Sequence, residues 1–259
     1  MNLSGKVALI TGGANGIGLE IVKRLIQANI QGITVLDLDD VSGKNIENEF
    51  GLNKIQFLTV DVRNESEFRG AFEKTISKFG HLDIVINNAG ICNDQKVDET
   101  IDVNAKACMK GMLLGFEFMG KNKSGTGGII INTSSIVGIH PTFALPLYSA
   151  TKNFIVCLTR CYGQPFYYDL TGVKVMTVAP GATETRIFQE FGYSKDFEGL
   201  PEFSLSTSPN ITVQTTEIVG DVFMNILKEG NNGSVWIINN SKPAYEEKNL
   251  PVFIENLPM

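Results

Sequence analysis

The segment Thr11-Gly12-Gly13-Ala14-Asn15-Gly16-Ile17-Gly18 decides the fold of this chain. It follows a short apolar run, Lys6–Thr11, and opens an amphipathic stretch, Gly16–Ala28. Glycine lets the backbone turn tightly, and a helix N-terminus offers free N–H groups and partial positive charge, so such a loop can hold a pyrophosphate. A glycine-rich loop alone can also be a plain turn, but its position between a strand and a helix favours a nucleotide site.

Short apolar runs and longer amphipathic stretches alternate along the rest of the chain. Continuous Val/Ile/Leu runs separated by helices are typical of a parallel sheet covered on both faces. We therefore predict an α/β fold, a single domain over residues 1–259 with a doubly wound parallel sheet (a Rossmann fold) of about seven strands. The predicted strands are Lys6–Thr11, Gly32–Asp37, Ile55–Asp61, Leu82–Asn87, Gly128–Thr133, Val173–Ala179 and Ser234–Ile238. The predicted helices are Gly16–Ala28, Val41–Glu49, Glu65–Phe79, Thr100–Met119, Leu147–Arg160 and Thr216–Lys228.

Three features interrupt this alternation. Residues 186–214 have no strong period and are long for a loop in a compact domain, which indicates a lid, a binding loop or disorder. The tail, residues 241–259, carries three prolines and is predicted to be an extended arm on the surface or across a subunit contact. Pro165 lacks an N–H and must end or bend the helix that precedes it.

The composition excludes several kinds of partner. The net charge of −6 has interspersed signs, without the basic footprint of a nucleic-acid or membrane-surface protein. The N-terminus has no signal-peptide pattern, so we expect a cytoplasmic protein without a membrane partner. The four cysteines, Cys92, Cys108, Cys157 and Cys161, form no CxxC pair, so we expect reduced, buried thiols and no metal site.

Asp37 bears on the choice of nucleotide. It ends the second predicted strand about 20 residues past the glycine loop, where a carboxylate can hold the adenosine ribose hydroxyls. A 2′-phosphate there would meet like-charge repulsion, and no Arg or Lys lies directly beside Asp37 or inside the loop. We therefore predict NAD rather than NADP. The alternative is that Asp37 is a loop residue or a helix cap.

Two more strand ends carry polar or small residues. Asp61-Val62 closes the third strand, where the adenine edge would lie, and Asn87-Asn88-Ala89-Gly90 closes the fourth. Ligands in such sheets bind beyond the carboxyl ends of the strands, so these residues are consistent with one nucleotide groove. The alternative for Asn87 and Asn88 is to bond backbone and hold neighbouring strands, and one residue could do both.

Tyr148 and Lys152 are four residues apart on a predicted helix and therefore share a face. A phenol titrates near ~10, and a neighbouring cation lowers that pKa. A tuned Tyr148 could exchange a proton with an alcohol, which is worth about 10²–10⁴ in rate. Such a pair is common by chance, but Ser134-Ser135 follows the strand Gly128–Thr133 and places a hydroxyl nearby. Spacing does not choose between the two serines.

These residues together resemble the short-chain dehydrogenase/reductase family, from about Gly5 to Ile238. The resemblance implies that Tyr148 is the acid/base, and that Lys152 binds the ribose and tunes Tyr148. It also implies that Ser135 polarises the substrate oxygen, that Asn104 holds a water in a proton relay, and that the chain forms a dimer or tetramer. The cofactor-binding residues so predicted are Gly12, Asn15, Gly16, Ile17, Gly18, Asp37, Asp61, Val62, Asn88, Ala89, Gly90, Tyr148, Lys152, Pro180, Gly181, Thr183 and Thr185.

Two branches of the family are similar to this chain, and both use NAD. The stretches Gly16–Leu19, Pro146–Ser149 and Gly233–Trp236 resemble insect-type alcohol dehydrogenases, and Gly5–Leu9 and Gly127–Asn132 resemble 15-hydroxyprostaglandin dehydrogenases. The prostaglandin enzymes have a Gln three residues before the Tyr. This chain has Leu145 there, which argues against prostaglandin.

The predicted activity is NAD-dependent interconversion of a lipophilic primary or secondary alcohol and its carbonyl compound, with Ser135, Leu145 and Tyr148 contacting the substrate. The resemblance implies that residues 186–214 form a loop that covers the substrate. Aromatic residues after Thr185 favour a lipophilic pocket, although they could instead form the loop's own core or a subunit contact. They are Phe188, Phe191, Tyr193, Phe197 and Phe203. One alternative is an NADPH-dependent carbonyl reductase. Another is a catalytically silent nucleotide-binding protein, which would be expected to lack one of the four catalytic residues.

Overall fold

An eight-stranded sheet forms the centre of the molecule, with strand order β3-β2-β1-β4-β5-β6-β7-β8. The computed structural model describes residues 2–189, 192 and 212–248. The strands are β1 Val7–Thr11, β2 Gly32–Asp37, β3 Ile55–Thr59, β4 Ile84–Asn87, β5 Gly128–Thr133, β6 Val173–Pro180, β7 Val235–Ile238 and β8 Tyr245–Glu246. The first seven strands pair in parallel, and β8 pairs antiparallel with β7. The predicted doubly wound α/β fold is confirmed.

Helices cover both faces of this sheet. They are α1 Gly16–Gln27, α2 Asp40–Phe50, α3 Glu65–Phe79, α4 Val97–Ile101, α5 Cys108–Met119, α6 Pro146–Tyr162, α7 Pro165–Thr171, α8 Arg186–Gln189 and α9 Thr216–Glu229. On one face Ile21 and Leu25 of α1 pack in the same cluster as Phe223 of α9. On the other face Phe72 of α3 and Met112 of α5 belong to a second cluster. Two cores, one on each face, explain why the strands are apolar on both sides.

The register brings the carboxyl ends of the central strands together. Thr11 lies beside Leu36 on one side and beside Asn87 on the other. Asn87 in turn lies beside Asn132 of β5. The loops that follow β1, β2, β4 and β5 therefore meet at one edge of the sheet, which is where ligands bind in this architecture.

Several predicted boundaries were wrong. The sheet has eight strands rather than about seven, because the tail returns as β8. The third strand ends at Thr59 rather than Asp61. The predicted helix Thr100–Met119 begins earlier, at Val97, and is interrupted by a π-helical turn over Asp102–Ala107. Such turns occur often at functional sites.

Pro165 ends the preceding helix as expected, since α6 stops at Tyr162. It then occupies the first position of α7, where its missing N–H costs no hydrogen bond. The cysteines are free, but only Cys92 and Cys108 are buried, and the prediction for the other two was wrong. Cys157 and Cys161 lie one turn apart on the outer side of α6, away from its buried residues.

The structure describes only short parts of the predicted substrate-covering loop, residues 186–214, and of the predicted arm, residues 241–259. In the predicted substrate-covering loop they comprise α8, Gly192 and residues 212–214. In the predicted arm they end at residue 248, after β8. The aromatic side chains of Phe188, Phe191, Tyr193, Phe197 and Phe203 and the tail residues 249–259 lie outside the described residues. Both segments stay predictions.

Candidate active site

A cavity of about 570 Å³ opens at the carboxyl edge of the sheet. It runs from the glycine loop past the ends of β2 and β3 to Tyr148. Of the predicted site residues, Gly18 and Asn104 do not line it. Those that line it are Gly12, Asn15, Gly16, Ile17, Asp37, Asp61, Val62, Asn88, Ala89, Gly90, Ser135, Leu145, Tyr148, Lys152, Pro180, Gly181, Thr183 and Thr185.

The glycine loop is shaped by contacts that exclude side chains. Gly12 and Gly16 have φ of 64° and 53°, in the left-handed region that glycine adopts readily. A Cβ on Gly18 would lie 2.0 Å from the carbonyl oxygen of Gly12 and 2.7 Å from Nδ2 of Asn88. Gly18 therefore acts from outside the cavity, by letting α1 begin directly against the loop.

Asp37 ties this loop to the end of β2. Its Oδ2 accepts a hydrogen bond from the backbone N–H of Ala14 at 2.9 Å, and its Oδ1 accepts one from that of Asp39 at 3.1 Å. The cap of α2 is Asp39, which accepts from the N–H of Ser42, so Asp37 is not the helix cap that the alternative proposed. The Asp37 side chain is partly exposed to the cavity.

Two arginines, Arg63 and Arg186, also line the cavity. Arg63 binds Asp61 through Nε at 3.0 Å and Nη2 at 2.6 Å, and these hydrogen bonds lower the pKa of the Asp61 carboxyl. Arg186, from the first position of α8, lies 3.4 Å from Oδ2 of Asp39. Arg63 follows Asp61 by two residues, so its charge was visible in the sequence. Arg186 meets Asp39 across 147 residues, which no local pattern indicates.

The two asparagines after β4 differ in position. Asn87 is buried and donates from Nδ2 to Oδ1 of Asn132 at 2.9 Å, joining β4 to β5. Asn88 lines the cavity and donates from Nδ2 to the Gly12 carbonyl at 2.9 Å, while its Oδ1 accepts from Thr133. The strand-holding alternative therefore describes Asn87, whereas Asn88 both braces the loop and faces the cavity.

Tyr148 and Lys152 share the inner face of α6, where Lys152 is buried and Tyr148 is partly buried. The Lys152 ammonium lies 5.6 Å from the centre of the Tyr148 ring and donates to the Thr133 carbonyl at 2.9 Å. Burial lowers the pKa of Lys152 to about 8. Burial also raises the pKa of Tyr148, and a hydrogen bond from Ser135 only partly opposes this. The expected lowering of the Tyr148 pKa was therefore wrong for the protein alone, since burial outweighs the favourable contact.

The two neighbouring serines, Ser134 and Ser135, differ in their hydrogen-bond partners. Ser134 is buried and donates to the backbone carbonyl of Lys152 at 2.7 Å. Ser135 hydrogen-bonds Tyr148 and lies 3.5 Å from the carbonyl oxygen of Pro180. Only Ser135 therefore has its hydroxyl beside the phenol.

Asn104 lies in the π-helical turn and is fully buried. Its Oδ1 accepts from the N–H of Ile91 at 2.9 Å, and its Nδ2 donates to the carbonyl of Ile91 at 2.8 Å and to Oγ1 of Thr151 at 3.1 Å. The side chain thus clamps the segment after β4 to α6. Its predicted part in a water relay stays a prediction.

Comparison with known proteins identifies the family of this chain. The model of the family described as short chain dehydrogenase matches residues 6–195. The chain belongs to the short-chain dehydrogenase family. Alcohol dehydrogenase 2 of Ceratitis capitata is 32% identical over 242 residues, covering 92% of this chain and 93% of its own. The 15-hydroxyprostaglandin dehydrogenase [NAD(+)] of Rattus norvegicus is 34% identical over 193 residues, covering 73% and 72%.

A solved structure with the same fold is 3-ketoacyl-(acyl-carrier-protein) reductase from Brucella melitensis complexed with NADH. It superposes with a TM-score of 0.78 at 23% identity and covers 92% of this chain and 98% of its own. This likeness supports the fold of the short-chain dehydrogenase described above.

After β6 of this short-chain dehydrogenase, Thr183 and Thr185 line the cavity from a turn that hydrogen bonds hold in place. The Thr183 hydroxyl donates to the Gly181 carbonyl at 2.9 Å, and Nε2 of Gln214 donates to Thr183 at 3.2 Å. The Thr185 hydroxyl donates to the Thr183 carbonyl at 3.1 Å. Gln214 is buried and was not singled out from the sequence, because its partners lie on distant segments.

The wall around Tyr148 is apolar. Cys92 and Leu145 line the cavity, and both are buried in one cluster with Ala144 against Tyr148. Burial raises the pKa of the Cys92 thiol to about 12, so it stays protonated at neutral pH. Cys92 follows the Asn87–Gly90 motif by two residues, and only the structure reveals that it faces the reactive end.

Two features are absent from the part of the chain that the structure describes, a membrane-spanning helix and a metal-binding cluster. Within residues 2–189, 192 and 212–248 no helix is both long and apolar enough to cross a membrane. In the same residues no group of three or more His, Cys, Asp or Glu side chains could hold a metal ion.

Proposed function

We propose that this short-chain dehydrogenase is an NAD-dependent alcohol dehydrogenase, with Tyr148 as the acid/base. The observation that carries this proposal is the close approach of Ser135, Tyr148 and Lys152 at one end of a cavity whose other end is lined by Asp37. The names of the relatives support it, since they include alcohol dehydrogenases and an NAD(+) enzyme that acts on a hydroxyl group.

The residues present fit a nicotinamide dinucleotide. Glycines 12, 16 and 18 leave room that a Cβ would fill, beside the N-terminus of α1, which suits a pyrophosphate. Asp37 and Asp61-Val62 would hold the adenosine, and Asn88–Gly90 with Lys152 would meet the second ribose. The turn Pro180–Thr185 would meet the nicotinamide.

The charges around Asp37 support NAD over NADP. The carboxylate faces the cavity, so a 2′-phosphate beside it would be repelled. Arg63 is already bound to Asp61. Arg186 favours the second candidate, an NADPH-dependent carbonyl reductase, because its guanidinium lies only 3.4 Å from Asp39 at this end of the cavity.

The chemistry divides between cofactor and chain. A nicotinamide held by these residues would supply the hydride transfer, as acceptor in alcohol oxidation and as donor in carbonyl reduction. Tyr148 takes the hydroxyl proton in oxidation and gives it back in reduction. Ser135 hydrogen-bonds the same oxygen and holds it against the phenol. Lys152 keeps positive charge beside Tyr148, which favours the phenolate.

The substrate that we propose is a lipophilic alcohol. Cys92, Ala144 and Leu145 surround Tyr148 with apolar atoms. Pockets of this composition bind apolar molecules and orient them through a few polar groups, here Ser135 and Tyr148. The homo-oligomeric assembly and the cytoplasmic location stay predictions.

A panel of alcohols tests the proposal. Short, terpenoid, steroid and prostanoid alcohols are each offered with NAD and with NADP, and turnover is followed at the nicotinamide absorbance. We expect kcat/KM to be highest for an apolar alcohol with NAD. A higher kcat/KM with NADP for the same alcohol would favour the reductase candidate, and no turnover of any alcohol with either cofactor would overturn the proposed activity.

A further inference from the structure

The helix that carries Tyr148 and Lys152 begins without a cap of its own. Its N-cap residue is Leu145, whose side chain makes no capping hydrogen bond, and Pro146 at the first position has no N–H. The first N–H groups of a helix have no partner within it. The first two such donors here are therefore the N–H groups of Leu147 and Tyr148.

Asp94 supplies both missing acceptors from another part of the chain. Its Oδ2 accepts from the Leu147 N–H at 2.8 Å, and its Oδ1 accepts from the Tyr148 N–H at 3.0 Å. Asp94 as a whole residue is 3% exposed. In the described residues no Lys, Arg or His forms an ion pair with it. The helix N-terminus is thus the main group stabilising this buried charge.

The backbone around Asp94 is also fixed from the side of the predicted substrate-covering loop, by Gly192. The Asp94 N–H donates to the Gly192 carbonyl at 2.6 Å, and the Gly192 N–H donates to the Cys92 carbonyl at 2.9 Å. A Cβ on Gly192 would lie 2.5 Å from Oδ1 of Asn93, so the two chain segments approach closely here. Asp94 therefore joins three parts of the site: the segment after β4, Gly192 and the start of α6.

We propose that Asp94 is a positioning residue, which holds the Tyr148 backbone so that the phenol meets the substrate oxygen. This inference rests on the proposed function. Tyr148 lies in the first turn, directly on the Asp94 carboxylate, whereas Lys152 lies one turn later and is held separately by the Thr133 carbonyl. Loss of Asp94 therefore disturbs proton transfer more than cofactor binding.

The test compares Asp94→Ala and Asp94→Asn with the wild-type chain. The Ala variant loses both acceptors, and we expect kcat to fall about tenfold to a hundredfold, because small misplacements of reacting groups cost rates of this order. The Asn variant keeps one acceptor oxygen, and its kcat should lie between the other two. We expect the KM for the alcohol to stay within about twofold of the wild-type value. The Kd for NADH, measured by fluorescence, should do the same, because Asp94 is proposed to position the phenol and not to bind either ligand.

Asn64→Ala is the matched control. Asn64 caps α3 by accepting from the N–H groups of Ser66 and Glu67, so this variant also loses two capping bonds, on a helix without reactive groups. We expect it to lower Tm while leaving kcat unchanged. If the Asp94→Ala chain does not fold, the kcat of Asp94→Asn tests the proposal instead. A wild-type kcat in Asp94→Asn would then overturn it.

Amide hydrogen exchange separates this inference from the proposed function. Exchange at Leu147 and Tyr148 should quicken in Asp94→Ala and not in Asn64→Ala. If the wild-type chain oxidises no alcohol, the proposed function fails, and unchanged exchange at these two amides would overturn the role of Asp94 as well. An active wild type whose Asp94 variants keep its kcat would overturn the positioning role alone.

Discussion

The Lys152 ammonium lies 5.6 Å from the centre of the Tyr148 ring while it donates to the Thr133 carbonyl at 2.9 Å. Burial lowers the pKa of this lysine to about 8 and raises the pKa of the tyrosine, so it favours the neutral form of both. The phenolate needs further positive charge to form. An oxidised nicotinamide held beside Tyr148 would supply that charge, so on this proposal Tyr148 acts as a base with the cofactor bound.

Removing the phenol oxygen tests the acid/base role directly. Tyr148→Phe keeps the ring that packs against Cys92 and Leu145. We expect kcat to fall about 10²–10⁴-fold, the range typical of a lost proton transfer. NADH binding, followed by fluorescence, and Tm should stay close to wild type. Turnover at the wild-type rate would show that another group moves the proton.

The buried lysine predicts how stability depends on pH. Its pKa falls from 10.5 to about 8 in the fold, so between these values the unfolded chain binds more protons than the folded one. The free energy of unfolding contributed by this group therefore rises with pH across that window. Relative to Lys152→Met, wild type should gain up to about 1.4 kcal/mol per pH unit between pH 8 and 10.

Urea unfolding of both chains at several pH values gives this difference. The comparison cancels groups common to the two chains, and it stays below the range in which the raised pKa of Tyr148 acts in the opposite direction. A difference that stays flat from pH 8 to 10 would show that Lys152 keeps an ordinary pKa in the fold.

Much of this site could be predicted from the sequence because its residues follow strands. Gly12, Asp37 and Asn88 each come at or just after a strand end, and the parallel sheet brings those ends together. The placement of Tyr148 and Lys152 on one face of a helix follows from their four-residue spacing and the helical repeat alone. Local spacing is enough wherever the regular structure fixes the position of a side chain.

The remainder depends on contacts that no local pattern contains. Asp94 meets Leu147 across 53 residues, and Asn104 meets Thr151 across 47. The π-helical turn that places Asn104 changes backbone hydrogen bonding without a distinct residue signature. The direction of the Tyr148 pKa shift failed for a related reason: the lysine was visible in the sequence, but the degree of burial was not.

The carboxylate of Asp37 predicts the cofactor preference. Asp37→Asn keeps the shape of the side chain and one acceptor for the Ala14 N–H, but it removes the charge that would repel a 2′-phosphate. We expect the ratio of kcat/KM for NADP to that for NAD to rise about tenfold or more, since like charges in contact cost several kcal/mol. Arg186→Ala should leave this ratio unchanged. A selective loss of NADP activity in Arg186→Ala would favour the reductase candidate instead.

Gly18 lies outside the cavity, yet we expect a single methyl group there to weaken cofactor binding. In Gly18→Ala the new carbon would lie 2.0 Å from the Gly12 carbonyl oxygen and 2.7 Å from Asn88 Nδ2, so the loop has to move. Overpacking of this kind costs about 1–3 kcal/mol, and NADH should bind about tenfold more weakly by fluorescence titration.

Gly70→Ala provides the control for that change. Its added Cβ would meet nothing within 4 Å on α3, so it tests the same substitution without a clash. Because alanine favours the helix over glycine, this variant should gain about 0.5–1 kcal/mol of stability and bind NADH as wild type does. Equal NADH affinity in Gly18→Ala and Gly70→Ala would mean that the glycine loop does not hold the cofactor, because the displaced loop would then carry no part of the binding energy.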